Sequence, residues 1–438
     1  MLNPPGPPAG SSEPAQAGDL DFDAARISQM LGAINAVGEQ AGRSIVRQAL
    51  SREEQQAHEL VASWLRELGF TVGRDAIGNT MGDLARALGP RLVIGSHVDT
   101  PPGGGGFDGT AGIVAAVEVA RYFASRQPGL QHPLRVACFA GEEDARFGDG
   151  RLGSRAAAGL LGPSTLDALV DDTGRTASAA LEDLGLDPNA VGSAQWKQDE
   201  CAAFFELHVE QGSELEAAGI SVGLADGVTG HCRIDLTIEG RSNHAGSASM
   251  AHRSDPVPAA AEFILAAERA AQTSSVHGPR VTVGRLLVEP CSPSTIASRV
   301  RLSIDVYDDD AVSLDAVARS IIQALGEITQ RRQTTLIAGV VAHTRPAVLP
   351  TWLRQIGVQA AAELGIDYRL LTSRGLRDTQ VMNEIMPAGL VLVPSRSGLS
   401  HNPDEWTSPV DIARGSRVLA EWISRLDEQL TKWRTAVN

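Results

Sequence analysis

Cysteine is scarce in this sequence. Its four residues, Cys138, Cys201, Cys232 and Cys291, form no C-x-x-C pair and show no close spacing. That excludes a disulfide framework and a thiolate zinc site, and the thiols read as reduced, buried small hydrophobes. Long apolar runs are missing as well, and nothing approaches the ~18 consecutive residues of a membrane span. The opening MLNPPGPPAGSSEPAQAG has neither the basic start nor the apolar core of a signal peptide, so residues 1–19 read as a disordered tail. Positive charge is in deficit: 38 Lys+Arg against 53 Asp+Glu leave a net charge of −15. A chain so acidic lacks the footprint for nucleic acid or an anionic membrane, and neither is expected as a partner. These absences together predict a soluble, cytoplasmic protein.

What is present is an ordinary globular composition, 43 % hydrophobic and 21 % charged, in 438 residues. One core seldom organises that length, so two domains are expected. Ser51-Arg-Glu-Glu54 is a capping box opening a helix whose apolar positions Leu60, Trp64 and Leu65 recur until Gly69. Apolar runs at 91–95, 134–140 and 203–209 predict buried strands, with a helix at 110–126 between the first two. Short continuous apolar strands separated by helices predict an α/β fold with a large, mostly parallel sheet covered on both faces. Residues 231–240, 256–272, 281–288, 299–307, 312–331 and 334–342 read instead as β-α-β-β-α-β, a smaller α+β open-faced sandwich. Alternating helix and strand return at 350–364, 368–373, 376–386, 388–394 and 408–433. A domain of about 225–343 is thus inserted in a larger one built from 20–224 and 344–438.

Histidines and acids collect where the apolar strands end. Strand 91–95 runs into Ser96-His97-Val98-Asp99, and Asp108 follows a Gly-rich stretch. Strand 134–140 leads to Gly141-Glu142-Glu143, strand 203–209 carries His208 and leads to Glu210-Gln211, and the loop after 388–394 carries Ser400-His401. Ligands of open α/β sheets gather outside the carboxyl ends of strands, so these ends share one expected crevice. His and carboxylate together suit Zn²⁺, Mn²⁺, Co²⁺ or Ni²⁺, and one carboxylate can bridge two ions. His97, Asp108 and His208 suit one ion; Asp108, Glu143 and His401 suit a second. Such a pair polarises a carbonyl and lowers the pKa of bound water toward ~7. Glu142 is left to carry the proton as general acid/base, and Asp99 to accept from the far imidazole N–H of His97.

The segments GSHVDTPPGGGGFDGTAG (95–112), FAGEEDARFG (139–148), ELHVEQGSELE (206–216), EGRSNHAGSASMAHRSDP (239–256) and PSRSGLSHNPDEWTS (394–408) occur in that order. They resemble the signature blocks of binuclear metallo-amidohydrolases related to N-carbamoyl-L-amino-acid hydrolase, allantoate amidohydrolase and β-ureidopropionase. The resemblance runs from about residue 20 onward, and the histidine in ELHVEQG distinguishes this branch from dipeptidases and aminoacylases. It implies metal ligation by His97, Asp108, Glu143, His208 and His401, with Glu142 as acid/base. It further implies that His244 reaches the partner subunit's site to stabilise an oxyanion, and that Gln211 contacts the substrate's amide or ureido group. The inserted domain becomes a dimerisation lid, and the working unit a homodimer.

Two departures bear on the substrate. The family's carboxylate-gripping Asn and the Arg thirteen residues later are here Ser294 and Tyr307, and a phenol has neither the charge nor the fork of a guanidinium. Where relatives tend to read S-G-A-G-H-D, this chain reads Ser373-Arg-Gly-Leu-Arg377-Asp378, so Arg377 either restores the positive charge or pairs with an acid. The expected activity is metal-dependent hydrolysis of a linear C–N bond in a small ureido or amide compound. An aminoacylase or dipeptidase using the same centre, and a non-catalytic dimeric metal-stabilised binding protein, stand as alternatives.

Overall fold

Apolar residues at successive strand positions point to opposite faces, so a strand that is apolar throughout must be covered twice. The computed structural model realises this. It describes residues 22–40, 44–84, 88–127, 129–272 and 278–437; the tail expected over 1–19 lies outside the described residues. Strands β1 (Thr71–Arg74), β2 (Thr80–Leu84), β3 (Arg91–His97), β4 (Leu134–Phe139), β5 (Cys201–Val209) and β6 (Val222–Val228) belong to one large sheet. The chain then leaves it for β7 (Gly230–Glu239), β8 (Asn243–His244), β9 (Arg280–Glu289), β10 (Thr295–Ile296), β11 (Arg299–Asp308) and β12 (Thr335–Thr344). It returns as β13 (Ala347–Val348), β14 (Tyr368–Ser373) and β15 (Ala388–Val393).

The nine-stranded sheet runs β1-β2-β4-β3-β5-β15-β6-β13, with β14 beside β6. Its centre is parallel, β4 with β3, β3 with β5 and β5 with β15, and antiparallel strands close both margins. Leu92, Ile94, Phe205 and Leu207 face the helices Arg52–Glu67, Thr110–Ala124 and Pro409–Val437, whereas Val93 and Phe204 face Trp196, Met382 and Met386. Helix Thr110–Ala124 is buried along nearly its whole length. It lies so close to the sheet that a Cβ on Gly112 would sit 2.2 Å from the Leu207 carbonyl oxygen.

Residues 230–344 carry the second sheet, order β12-β7-β11-β9, entirely antiparallel. Ile234, Leu236, Ile238, Val300, Leu302 and Ile304 cover one face against helices Pro256–Ala271 and Ala311–Arg331, which is the expected open-faced sandwich. Since β6 runs through residue 225 and pairs in the large sheet, the inserted sheet begins at Gly230. The two-stranded ribbon of β8 and β10 projects from it. Among the described residues no helix is long and apolar enough to cross a membrane.

Three local readings need correction. The helix read over 376–386 is only Asp378–Met382, because Arg377 is extended and Pro387 stops propagation toward β15. Cys291 is exposed, unlike the other three cysteines, because it occupies the turn before β10 rather than a core strand. In the capping box Ser51 Oγ accepts from the Glu54 N–H at 3.1 Å, as expected. Glu54 does not answer to Ser51 but accepts from the N–H groups of Leu50 (2.6 Å) and Gly141 (2.7 Å), anchoring the turn before Glu142.

Burial, reinforced by Asp99, pushes the Glu54 carboxyl up to about 8. A raised folded-state value means that this group favours the fold when protonated and withdraws that support as pH climbs from about 4.5 to about 8. Glu54→Gln cannot ionise. Its stability relative to the parent should therefore improve steadily between about pH 5 and 8 in denaturation midpoints; a difference independent of pH would contradict this.

Candidate active site

The carboxyl ends of β3, β4, β5 and β15 meet as expected. His97 closes β3, Asp99 follows it, and Asp108 precedes the helix that starts at Thr110, whose N-terminus favours the carboxylate. His97 Nε2 lies 3.8 Å from Asp108 Oδ1, and His208 Nε2 lies 3.0 Å from the same oxygen. His401 Nε2 lies 3.2 Å from Asp108 Oδ2 and 3.4 Å from Glu143 Oε1. Two groups able to hold an ion result, His97-Asp108-His208 and Asp108-Glu143-His401, each with ligand atoms within 4.8 Å of one another. The donor set fits a divalent cation. His97 Nε2 is buried without a hydrogen-bond partner, and His208 Nε2 and Glu143 Oε1 meet only other members of the cluster, whereas buried polar atoms are ordinarily satisfied.

The backs of these candidate ligands are pinned. Asp99 Oδ1 lies 3.2 Å from His97 Nδ1, and the same carboxylate accepts from the backbone N–H of Glu142 (3.1 Å) and of Glu143 (2.9 Å). His208 Nδ1 lies 3.0 Å from the Val209 carbonyl, which leaves Nε2 free to face inward. Gly109, at φ +60°, touches the His97 ring, and a Cβ there would stand 2.4 Å from it. Arg151, Gln211 and His401 all adopt positive φ, and such strain concentrates at functional sites.

Charge in the cluster is unbalanced toward the acids. Glu143, with Asp108, pushes the His401 imidazole up to about 12. Burial opposes charge on His97, but Glu142, Asp99 and Asp108 outweigh it and hold its pKa well above the ordinary value. The Glu142 carboxyl is raised by burial and by neighbouring acids, so it retains a proton further toward neutrality than a free glutamate. It sits 3.6 Å from His97 Nε2.

A cavity of about 160 Å³ opens on this cluster and is bordered by Glu142, Gln211, Tyr307, Arg151 and Arg377 among others. Gln211 Nε2 donates to Asp108 Oδ2 at 2.5 Å, and Arg377 Nη2 donates to Gln211 Oε1 at 2.7 Å. Tyr307 packs at a tilt against His231, ring centroids 4.6 Å apart. Ser294 and His244 are absent from this wall. Both are exposed on the β8/β10 ribbon, where the Ser294 carbonyl accepts from the Ala245 N–H.

Residues 93–425 match Peptidase family M20/M25/M40. The chain belongs to that family. Among its relatives are an N-carbamoyl-L-amino acid amidohydrolase of Geobacillus stearothermophilus, 35 % identical over 92 % of this chain and 98 % of that one, and a ureidoglycolate hydrolase of Oryza sativa, 33 % identical over 88 % and 81 %. An amidase of the hydantoinase/carbamoylase family from Burkholderia vietnamiensis superposes with TM-score 0.87 at 26 % identity, covering 92 % of this chain and 97 % of that one. The M20 relatives are hydrolases, and the two candidate ion groups lie inside the matched span.

Sequence reading missed the supports beneath this M20 site. Glu206, fully buried, accepts from Ser96 Oγ (2.8 Å) and from the Thr379 N–H (3.0 Å), tying three elements together. Its place two residues before His208 puts both on one face of β5, which was a usable signal. Asp378 beside it is pushed up to about 7 by burial and the Glu206 charge. Glu405 accepts from the Phe107 and Asp108 N–H groups, and burial beside Asp108 pushes it to about 7. Nothing in the spacing announces that role. Gly109→Ala should cost about 1–3 kcal/mol and displace His97, read as a lower denaturation midpoint together with weaker Mn²⁺ binding. Unchanged values of both would contradict the contact.

Proposed function

We propose that this protein is a metal-dependent amidohydrolase that cleaves a linear C–N bond in a ureido or amide compound, of the N-carbamoyl-amino-acid or allantoate type. The observation that carries the reading is the pair of ligand groups sharing Asp108, with the raised carboxyl of Glu142 beside them. His97, Asp108 and His208 would hold one divalent ion and Asp108, Glu143 and His401 another, Zn²⁺, Mn²⁺, Co²⁺ or Ni²⁺. Bound there, such ions polarise a carbonyl and acidify water.

Glu142 takes the proton of the attacking water and returns it to the departing nitrogen, a task that a carboxyl raised by burial above the ordinary glutamate range suits. Asp99 holds Glu142 and Glu143 by their backbone and His97 by its ring, so acid/base and ligand keep a fixed separation. Gln211, clamped between Asp108 and Arg377, presents its amide at the cavity to the ureido or amide group.

His244 supplies the oxyanion donor from the partner subunit of a homodimer. Its Nδ1 accepts from the N–H groups of Gly246 (3.1 Å) and Ser247 (3.2 Å), which puts the ring proton on Nε2 of this exposed side chain. The inserted domain acts as lid and dimerisation unit. Its outer strand β12 exposes Ile337, Val340 and Val341 along an open sheet edge, a surface that soluble proteins normally cover.

Glu142→Gln should retain its metal but lose roughly 10²–10⁴-fold in kcat for ammonia release from N-carbamoyl amino acids or allantoate. His244→Ala, a surface change, should keep stability and also lose turnover. Mixed and re-equilibrated, the two inactive proteins should recover about a quarter of parental activity, because each hybrid dimer of a two-fold assembly holds one complete site. Substantial activity in Glu142→Gln would overturn the acid/base role, and absence of complementation the shared site.

A further inference from the structure

The cavity carries positive charge that the protein itself leaves unanswered. Most arginines around it are paired: Arg233 with Asp144 at 3.1 Å, Arg374 with Glu214 at 3.0 Å, Arg155 with Asp149 at 2.5 Å. Arg151 and Arg377 are only 5 % and 3 % exposed and line the same cavity, yet neither has a carboxylate within ion-pair distance among the described residues. The acids that border the cavity face other groups, Asp108 toward His208 and His401, Glu142 toward His97, Glu143 toward His401 and Asp144 toward Arg233. A buried guanidinium without a counter-ion is strongly unfavourable.

Each guanidinium has five N–H donors. Arg377 gives Nη2 to Gln211 Oε1 and Nη1 to the Leu376 carbonyl. Arg151 gives Nη1 to Gln380 Oε1 and Nη2 to Thr344 Oγ1. The Nε of both is buried and without a partner. Both are also held stiffly. Gln380 donates to the carbonyls of Thr229 (3.1 Å) and Arg345 (2.9 Å), where the chain enters and leaves the inserted sheet, and the Arg151 N–H donates to the Glu142 carbonyl at 2.8 Å.

We propose that Arg151 and Arg377 form the subsite for a carboxylate on the substrate. The inference rests on the ureido or amide reading and deepens it. The acid is gripped from the loops of the large sheet, not from β11, where Tyr307 offers only a neutral phenol. Asp108, Glu143 and His401 border the same space, so one small molecule meets the candidate metal ligands and both guanidiniums at once. The substrates are ureido or amide acids whose carboxylate lies on the Arg377 side of the cavity.

The test is calorimetric titration of Mn²⁺-loaded Glu142→Gln protein, in which turnover is suppressed, with N-carbamoylglycine and with ethylurea, which has a methyl group in place of the carboxylate. The acid should bind about ten- to hundredfold more tightly. Arg151→Met and Arg377→Met, each added to that background, should erase most of this preference; Arg151→Met should leave the ethylurea affinity in place, whereas Arg377→Met also releases Gln211, weakens both probes and is read on their ratio. Because the preference is a ratio within one protein, and ethylurea reports an intact cavity, misfolding does not imitate the result. Arg→Lys variants, which keep charge but lose the fork, should retain an intermediate preference and serve where a Met variant does not fold. A preference that survives both Met substitutions would place the carboxylate on the metal ions and overturn the proposal. Equal binding of the two probes would overturn it while leaving the ureido reading standing, and binding of neither would overturn both.

Discussion

Asp108 stands between two pairs of side chains, with one oxygen toward His97 and His208 and the other toward His401. Much of the larger domain serves to keep that carboxylate in place. The helix beginning at Thr110 offers it an electropositive end, and Glu405 and Ser400 hold its flank: Ser400 Oγ lies 2.9 Å from Asp108 Oδ2 and 2.8 Å from Glu405 Oε1. Gly109 lets the His97 ring lie against the backbone. Grouping Asp99, Asp108, Glu142 and Glu143 in a buried crevice is electrostatically costly. The fold tolerates it because His97 and His401 take up positive charge while burial keeps His208 on the neutral side, and the same excess of negative charge suits a divalent cation.

The lower tier is a set of carboxylates that touch no substrate. Glu54 holds Gly141, Asp99 holds the next two N–H groups, and Glu206 bridges Ser96 and Thr379. Each acts on backbone or on a strand end, so the ligand geometry depends on residues that sit in three different elements. Arg47 belongs to this tier too. It is fully buried and donates to the carbonyls of Ile34 (3.0 Å), Val37 (2.8 Å) and Val98, joining the first helix to the loop after β3.

Much of this was legible in the sequence. The apolar runs that became β3, β4, β5 and β15 are short and continuous, which forces a doubly covered sheet, and the candidate ligands cluster where those runs end. β1 and β2 were not legible because they are only four and five residues long with little apolar content. β6 hides its periodicity behind Gly223, Asp226 and Gly227. The supporting acids were harder still. Glu54 looks like half of a capping box, and only the fold reveals that it reaches Gly141. Arg151 has no motif at all, and its meaning comes from burial without a counter-ion. His244 and Ser294 were legible only through resemblance, since their ribbon lies away from their own chain's cavity.

The proposed chemistry turns on Asp108 being shared by two cations. The most direct test is a crystal structure of the Mn²⁺-loaded protein with anomalous scattering recorded at the manganese edge. Two anomalous peaks about 3.5–4 Å apart are expected, one beside His97 and His208, the other beside Glu143 and His401, with Asp108 between them. A single peak, or peaks that Asp108 does not bridge, would contradict it.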